Sequence, residues 1–286
     1  MIVANVETSF PMTFSRLLGP FFLITWTLLA FGCTDEAKPN SDSGTDGGGL
    51  GMDGSTDMDG GAADGDAGDG GDAGSDGGDV LPPRKPTVFL IDDSDAGPQF
   101  KAAFEAAGMT VTEAGNYYDW DGVTPALGDH DVAVLLQGKS YSSDIAEAMD
   151  DALVAYVEGG GVLIRTEWGL YNARNGADVD IDLMFPVKYD SGYDYVATWN
   201  VVETNHPFLA GVTAPFSSDA GYSETVLEAD ATLIMKSDDN NPLLTTKQFG
   251  KGHVVHVNHD MTYTISTVEP QILKIFVNIA HWSTSK

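Results

Sequence analysis

The chain has 286 residues and carries 43 acidic against 14 basic side chains, which gives a formal net charge of −29 at neutral pH. So acidic a protein is a poor partner for nucleic acid, because binding phosphates requires Lys and Arg to neutralise them. Docking onto anionic lipid headgroups is disfavoured for the same reason. The single cysteine, Cys33, excludes disulfides within the chain, and no cysteine follows it.

The N-terminal segment has the pattern of a secretory leader. Residues 17–32 are sixteen positions without a charge, and they follow Arg16. This run is shorter than the roughly 20 apolar residues of a membrane span. It fits the hydrophobic region of a signal peptide, which we predict over residues 1–32. The stretch before Met12 carries Glu7 and no basic residue, so Met12 is an alternative start to Met1.

The predicted leader runs into the sequence LLAFGC, which ends at Cys33. This pattern resembles the lipobox of bacterial lipoproteins, which implies cleavage before Cys33 and acylation of its sulfur. Two acyl chains, at about 0.8 kcal/mol per buried methylene, anchor a protein stably to a membrane. Thr34 follows instead of the aspartate that resembles an inner-membrane retention signal. The resemblance therefore implies a lipid-anchored protein of the cell envelope, in the outer membrane; the alternative is an uncleaved signal anchor.

Residues 34–80 contain fifteen glycines, thirteen acidic residues and one lysine. Such a stretch cannot bury enough apolar surface to offset the entropy lost on ordering. We predict that residues 33–80 form a lipidated, disordered tether with a random-coil reach of roughly 40 Å. The Asp-Gly runs lack the spacing of a calcium loop, so a solvated acidic spacer is favoured over a calcium site.

Residues 81–286 are long enough for one domain with a buried core. Their first half alternates apolar strands with amphipathic helices, which predicts a doubly wound, flavodoxin-like, mostly parallel α/β sheet covered on both faces. A helix is predicted from Pro98 to a stop at Gly108. A second helix is predicted after a serine cap, with one apolar face. The predicted strands are 87–92, 109–114, 131–137 and 161–167, and the apolar face of the second helix is Ile145, Met149, Leu153, Tyr156 and Val157.

The second half of the domain reads as added strands or hairpins before a closing helix. The pattern predicts a hairpin that turns at Phe249 to Gly252. The closing helix is predicted over residues 268–282, with Leu273, Phe276, Val277 and Ala280 facing inward. The predicted strands of this half lie within 195–202, 225–229, 231–237 and 243–259.

Polar side chains follow the ends of several predicted strands, which is where ligands bind in doubly wound sheets. One interpretation is a divalent cation or a polar ligand held by carboxylates and a histidine, with Asp92, Asp93 and His259 as the candidate metal ligands. The alternative is that Asp93, Ser94 and Asp95 cap the helix that follows while the other side chains face water. The strand-end candidates are Asp92, Asp93, Asp95, Gln137, Glu167, Trp168, His259 and Asp260.

The order of several motifs resembles the class I glutamine amidotransferase-like fold, and within it the trehalose-utilization (ThuA-like) domains. The motifs are ALGDHDVAVLL, YVEGGGVLIRTEWG, NHPFLAGV, FGKGHVVHVNHD and a final AHW. In catalytic amidotransferases a cysteine follows the strand that matches GVLIRT, and a histidine follows the last strand. His259 matches that histidine, but Thr166, Glu167 and Trp168 stand where the cysteine belongs. The resemblance therefore implies the fold without glutamine hydrolysis, because no thiolate is available.

Two other chemical interpretations arise from the same residues. FLIDDSDAG with VLIRTE also resembles a response-regulator receiver, but Gln137 occupies the phosphoacceptor position and no lysine follows the last strand. The second interpretation is a catalytic set in which Thr166 supplies the hydroxyl, His259 the base and Asp260 the acid. Such sets are recognised by their geometry, which a sequence does not give.

Aromatic and acidic residues are mixed in two loop segments, residues 116–122 and 189–199. Flat apolar rings beside carboxylate acceptors suit carbohydrates, and the alternative is packing of these rings within the core or across strands. The candidate rings for binding a glycan are Tyr117, Tyr118, Trp120, Tyr193 and Trp199.

The sequence thus favours a tethered protein that binds a polar ligand, with a glycan as one candidate, or a partner at the envelope. The alternative is a hydrolase of sugar derivatives, with His259 as base and Glu167 or Asp92 as acid or cation ligand. No pattern in the chain indicates a cofactor. Convergence of Asp92, Glu167 and His259 in one pocket would favour the enzyme, and their separation would favour the binding protein.

Overall fold

The computed structural model describes residues 84–140, 143–175, 179–261 and 267–286. The predicted leader, Cys33 and the tether at 33–80 lie outside these residues, so the lipidation and the tether stay predictions. No helix within the described ranges is both long and apolar enough to cross a bilayer.

Eleven strands are found in the described residues, and nine of them form one mixed sheet. They are β1 (Thr87–Asp92), β2 (Thr110–Gly115), β3 (Val132–Leu136), β4 (Val162–Thr166), β5 (Val187–Asp194), β6 (Ala197–Val201), β7 (Phe216–Ser218), β8 (Tyr222–Leu227), β9 (Thr232–Lys236), β10 (Pro242–Phe249) and β11 (Gly252–Val257). The large sheet has the order β2-β1-β3-β4-β11-β10-β9-β6-β7. Its first five strands in this order, β2, β1, β3, β4 and β11, are parallel, and the remaining neighbouring pairs are antiparallel. The predicted parallel α/β sheet with added antiparallel strands is therefore confirmed.

The central strands are buried because helices cover both faces of the sheet. Every residue of β3 and β4 is buried, as expected for parallel strands with apolar runs. The helices are α1 (Gly97–Ala106), α2 (Glu147–Gly159), α3 (Glu167–Asn175), α4 (Val179–Asp182) and α5 (Pro270–Ser283). Helices α1 and α5 pack on one face, where Phe100 and Phe276 lie 4.5 Å apart between ring centroids, and α2 packs on the other.

Two details of the predicted helices are wrong. Helix α2 begins at Glu147 after Ala146, which has an extended backbone and no side-chain cap, so the predicted serine cap is absent. Helix α5 turns a neighbouring stripe toward the sheet, so Leu273 and Val277 are only partly buried. The fully buried residues of α5 are Ile272, Ile275, Phe276, Ile279 and Ala280, with Ser283 at its end.

The second half of the domain adds a two-stranded ribbon beside the main sheet. The predicted hairpin is confirmed, because β10 and β11 pair with Phe249 opposite Gly252. The predicted strand at 195–202 is shorter, as β6, and the aromatic segment before it forms β5, which pairs with β8. Helix α3 contacts both β5 and β8. This ribbon therefore lies against the helix that follows the carboxyl end of β4.

Candidate ligand-binding site

The site begins where β4 passes directly into α3. Strand β4 ends at Thr166 and α3 starts at Glu167, so no loop separates the strand from the helix. Both of these residues are buried. The carboxyl end of a central parallel strand is the usual position of a ligand site in this class of sheet.

Glu167 is only 1% exposed, and its two carboxyl oxygens differ in their contacts. Oε1 accepts a hydrogen bond from the Ser223 hydroxyl. Oε2 is buried and has no hydrogen-bond partner among the described residues. Burial raises the pKa of Glu167 to about 8, and the negative charge of Asp260 adds to that effect against the opposing Ser223 hydrogen bond. The carboxyl group is therefore mostly neutral at pH 7 and can donate its proton in a hydrogen bond.

A cavity of about 170 Å³ opens above this carboxyl group, between α3 and the ribbon of β5 and β8. Its walls are mainly aromatic: the ring centroid of Trp168 lies 5.7 Å from that of Tyr171 and 5.9 Å from that of Tyr193. The lining residues are Glu167, Trp168, Tyr171, Arg174, Tyr189, Gly192, Tyr193 and Ser223.

Asp260 fixes two of these rings from behind. The indole N–H of Trp168 donates to Asp260 Oδ1 at 2.9 Å, and the hydroxyl of Tyr193 donates to Asp260 Oδ2 at 2.9 Å. One carboxylate thus holds a ring from α3 and a ring from β5 in a fixed relation. Hydrogen bonds to a charged acceptor are stronger than neutral ones, so this wall of the cavity is preorganised.

Two buried asparagines position Ser223, the partner of Glu167. Asn258 Oδ1 accepts from the Ser223 backbone N–H at 3.1 Å, and Asn258 Nδ2 donates to the Ser223 carbonyl at 2.8 Å. Asn241 Nδ2 donates to the same carbonyl at 2.9 Å. The sequence predictions named none of these three residues, because nothing in the local pattern links them.

Arg165 supports α3 from beneath with a fully buried side chain. Its Nη2 donates to Gln137 Oε1 at 2.9 Å, its Nη1 lies 3.4 Å from Asp182 Oδ1, and its guanidinium lies 3.9 Å from the ring centre of Phe185. Gln137, predicted as a ligand contact, is therefore part of the support for α3 and does not line the cavity.

The carboxylates after β1 belong to a separate turn. Asp92 Oδ1 accepts from the backbone N–H and the hydroxyl of Ser94, at 2.8 and 2.7 Å. Asp93 accepts from the backbone N–H of Ser140 at 2.5 Å. The described residues hold no group of three or more His, Cys, Asp or Glu side chains that could bind a metal ion. The predicted cation site of Asp92, Asp93, Glu167 and His259 is therefore not formed.

His259 lies in the core and not in the cavity. Its ring is buried, 6.0 Å from that of Trp199, and burial lowers its pKa to about 4. Neither its ring nitrogens nor Thr166 Oγ1 has a hydrogen-bond partner among the described residues. The hypothetical set of Thr166, His259 and Asp260 is thus not assembled, and His259 is not placed to act as a base on a ligand in this cavity.

Most of the rings predicted to contact a glycan are core residues. Tyr117, Trp120 and Trp199 are at most 2% exposed, and Trp120 donates to the Pro125 carbonyl at 3.2 Å. Tyr118 is 39% exposed, but it is not part of the cavity lining. Of the five predicted rings only Tyr193 lines the cavity.

Besides Ser223 and Gly192, the sequence predictions missed three side chains of the cavity lining. Tyr171 and Arg174 follow Trp168 at intervals of three residues on α3, which places all three on one side of the helix. That spacing was a usable signal for a helical binding face directly after β4. Tyr189 lies in the aromatic segment that the sequence had marked, but it was not singled out there.

The described domain is thus a flavodoxin-like α/β domain with a mostly parallel sheet, an added antiparallel region and a cavity after its fourth strand. Among solved structures it is similar to a ThuA-like protein from Bacteroides uniformis, with a TM-score of 0.56 and 14% identity over 72% of this chain and 93% of that one. It is also similar to two cytoplasmic proteins of Salmonella typhimurium, each with a TM-score of 0.53. Their identities are 16% and 15%, over 69% and 68% of this chain and 98% of each of theirs. No protein-family model and no curated protein matches the sequence.

These neighbours support the predicted ThuA-like fold, and they correct one prediction. The sequence placed the protein at the cell envelope, on the evidence of the N-terminal segment alone. The neighbours from Salmonella typhimurium are described as cytoplasmic proteins, which contradicts that location.

Proposed function

We propose that this domain binds a polar ligand, with a carbohydrate as the ligand class, in the cavity between α3 and the ribbon of β5 and β8. The observation that carries the proposal is the aromatic-walled cavity with the buried carboxyl group of Glu167 at its base, one of whose oxygens has no partner among the described residues. Binding sites for small molecules combine mostly apolar walls with a few placed polar groups, as this cavity does.

The chemistry of the lining suits a sugar ring. The faces of Trp168, Tyr171 and Tyr193 offer flat apolar contact to the C–H groups of a ring. The neutral Glu167 carboxyl can donate to a ligand hydroxyl, and the Ser223 hydroxyl lies beside it. A buried polar atom without a partner costs free energy, so a ligand that supplies the missing hydrogen bond gains affinity from it.

Binding is favoured over catalysis because this chain lacks the catalytic cysteine of the amidotransferases that it resembles. Thr166, Glu167 and Trp168 stand at that position. A second function, hydrolysis of a sugar derivative, is supported by one observation. A buried glutamate with a pKa of about 8 keeps its proton at neutral pH, as a general acid must. Product analysis after incubation with bound ligands separates the two functions, since a binding protein returns them unchanged.

The test is a glycan array followed by calorimetric titration of the best ligand with the full chain. We expect Trp168→Ala to weaken binding at least tenfold, equivalent to about 1.4 kcal/mol. Tyr118→Ala is the matched control, because it removes an exposed ring outside the cavity. Unchanged affinity in Trp168→Ala, or equal losses in both variants, would refute this location of the site.

A further inference from the structure

The aromatic walls of the cavity already hold a cation in this structure. The guanidinium of Arg174 lies 4.8 Å from the ring centre of Tyr189 and 5.7 Å from that of Tyr171. Both distances are within the roughly 6 Å over which a ring face attracts a positive charge. Arg174 Nη1 also donates to the Tyr189 hydroxyl at 3.3 Å. These rings are therefore arranged as a binding surface for a positively charged group.

Arg174 borders two cavities. It is an exposed side chain near the end of α3. It lines both the aromatic cavity and a neighbouring cavity of about 340 Å³, which Asp182 also lines. Rotation of Arg174 toward the neighbouring cavity would uncover the faces of Tyr171 and Tyr189 for a cation from outside.

The titratable side chains around the aromatic cavity are mainly acidic. Glu167 presents an unpartnered oxygen at the base, and Asp260 lies behind Trp168 and Tyr193. Glu224 accepts from the Ser191 hydroxyl at 2.6 Å and lies beside Gly192 at the rim. Arg174 is the one cationic side chain among the described lining residues. Residues 81–286 as a whole carry 12 basic and 29 acidic residues, so their field draws cations toward the domain.

We propose that the ligand bound in this cavity carries a cationic ammonium group, as an amino sugar does, which displaces Arg174 from the rings and pairs with the Glu167 carboxylate. This inference rests on the proposed function and narrows its ligand class. Glu167 is neutral in the empty cavity, so pairing with a cation requires it to release its proton to the solvent. The groups that act on this carboxyl are Ser223 from β8, Tyr193 from β5 and Asp260 after β11, and Arg174 from α3 lines the same cavity.

The experiment is calorimetric titration of the full chain at pH 7 with glucose, glucosamine and glucuronate. We expect glucosamine to bind at least tenfold more tightly than glucose, and glucuronate to bind least. Repeating the glucosamine titration in phosphate and Tris buffers should reveal release of up to one proton per ligand bound, from the difference in apparent enthalpy. Choline, whose charge does not titrate, should report the proton released by Glu167 alone, and Glu167→Gln should abolish that release.

Arg174→Ala tests directly whether a ligand cation displaces the Arg174 guanidinium from the rings. If a ligand cation replaces this guanidinium, the variant should bind glucosamine more tightly than the natural chain. Lys188→Ala is the matched control, because it removes a nearby positive charge that pairs with Glu228 and makes no ring contact recorded in the structure. An equal gain in both variants would indicate a long-range charge effect and would overturn the displacement of Arg174.

The remaining outcomes separate this inference from the proposed function. Equal binding of glucose and glucosamine would overturn the cationic ligand class and leave carbohydrate binding intact. Tightest binding of glucuronate, with its loss in Arg174→Ala, would overturn it in favour of an anion site. Failure of every sugar to bind, in these titrations and on the array, would overturn the proposed function itself.

Discussion

Glu167 shows how one residue can couple folding to pH. Its carboxyl group is almost fully removed from water, and the Ser223 hydroxyl compensates only one of its oxygens. A charged carboxylate is therefore strongly disfavoured there, which is why the pKa lies near 8 and not near 4.5. The same raised pKa that lets the residue donate a proton to a ligand lowers the stability of the ligand-free domain at alkaline pH.

The sign of the pH effect follows from which state binds more protons. Below pH 4.5 the residue is protonated in both states, so it adds no pH dependence. Between pH 4.5 and 8 the unfolded chain ionises Glu167 while the folded chain keeps its proton, so the free energy of unfolding falls as pH rises. The loss is complete above pH 8 and is about 5 kcal/mol at most.

Glu167→Gln should remove this loss, because the amide does not titrate and its oxygen can still accept from Ser223. We expect the variant to gain stability relative to the natural chain as pH is raised from 5 to 8.5, measured by urea unfolding. Glu105→Gln is the control, since it makes the same chemical change at an exposed position on α1. Parallel pH profiles for the natural chain and Glu167→Gln would show that the carboxyl is not held neutral.

At the scale of elements, the placement of α3 depends on a close approach to the sheet. A Cβ atom added at Gly169 would lie 2.3 Å from Gln137 Oε1 and 2.9 Å from Arg165 Nη2. Both of those side chains are buried and hydrogen-bonded to each other, so they have little freedom to move aside. A glycine at this position therefore lets α3 rest directly on the Arg165 side chain.

Gly169→Ala should lower the free energy of unfolding by about 1–3 kcal/mol, the usual cost of overpacking a core. It should also weaken ligand binding, because α3 carries Trp168, Tyr171 and Arg174. Gly159→Ala is the matched control at the end of α2, where an added Cβ meets nothing within 4 Å. That variant should be neutral or gain up to about 1 kcal/mol. Equal effects of the two substitutions in thermal unfolding would contradict this account of α3.

The elements that could be predicted from the sequence are those with a continuous local pattern of apolar residues or a recognisable turn. Strands β1, β3 and β4 are mostly apolar runs, and the hairpin of β10 and β11 has a glycine-containing turn between its two strands. Helix α3 was not predicted, because it starts at the residue directly after β4. No loop separates the two elements in the sequence.

The candidate site was only partly predictable, because its members come from distant segments. Glu167 and Trp168 could be named from their position after a strand. The sequence gives no measure of whether an aromatic side chain in a polar segment turns inward, as Trp120 and Trp199 do, or lines a cavity, as Tyr193 does. Asp92 ends β1 and Glu167 follows β4, yet Asp92 accepts hydrogen bonds from the neighbouring Ser94 while Glu167 accepts from the distant Ser223.

At the scale of the whole molecule, the dominant feature is an excess of negative charge, whose repulsion opposes folding. Residues 81–286 have a net charge of −17. Compaction brings these charges closer than they are in the unfolded chain, so self-repulsion lowers the stability of the folded state. Surface ion pairs such as Lys188–Glu228 offset little of this, because exposed pairs contribute about 0–1 kcal/mol each.

Salt should therefore stabilise the domain. Raising NaCl from 10 to 150 mM shortens the screening length from about 30 to 8 Å, which weakens repulsion between carboxylates on different elements. We expect Tm to rise by ~3 °C, equivalent to about 1 kcal/mol for a domain of this size, in thermal unfolding of the full chain. The double variant Asp144→Asn, Asp151→Asn removes two exposed carboxylates and should start from a higher Tm with a smaller salt response. A Tm that falls with salt would mean that attractive ion pairs, and not net repulsion, dominate the electrostatics of the fold.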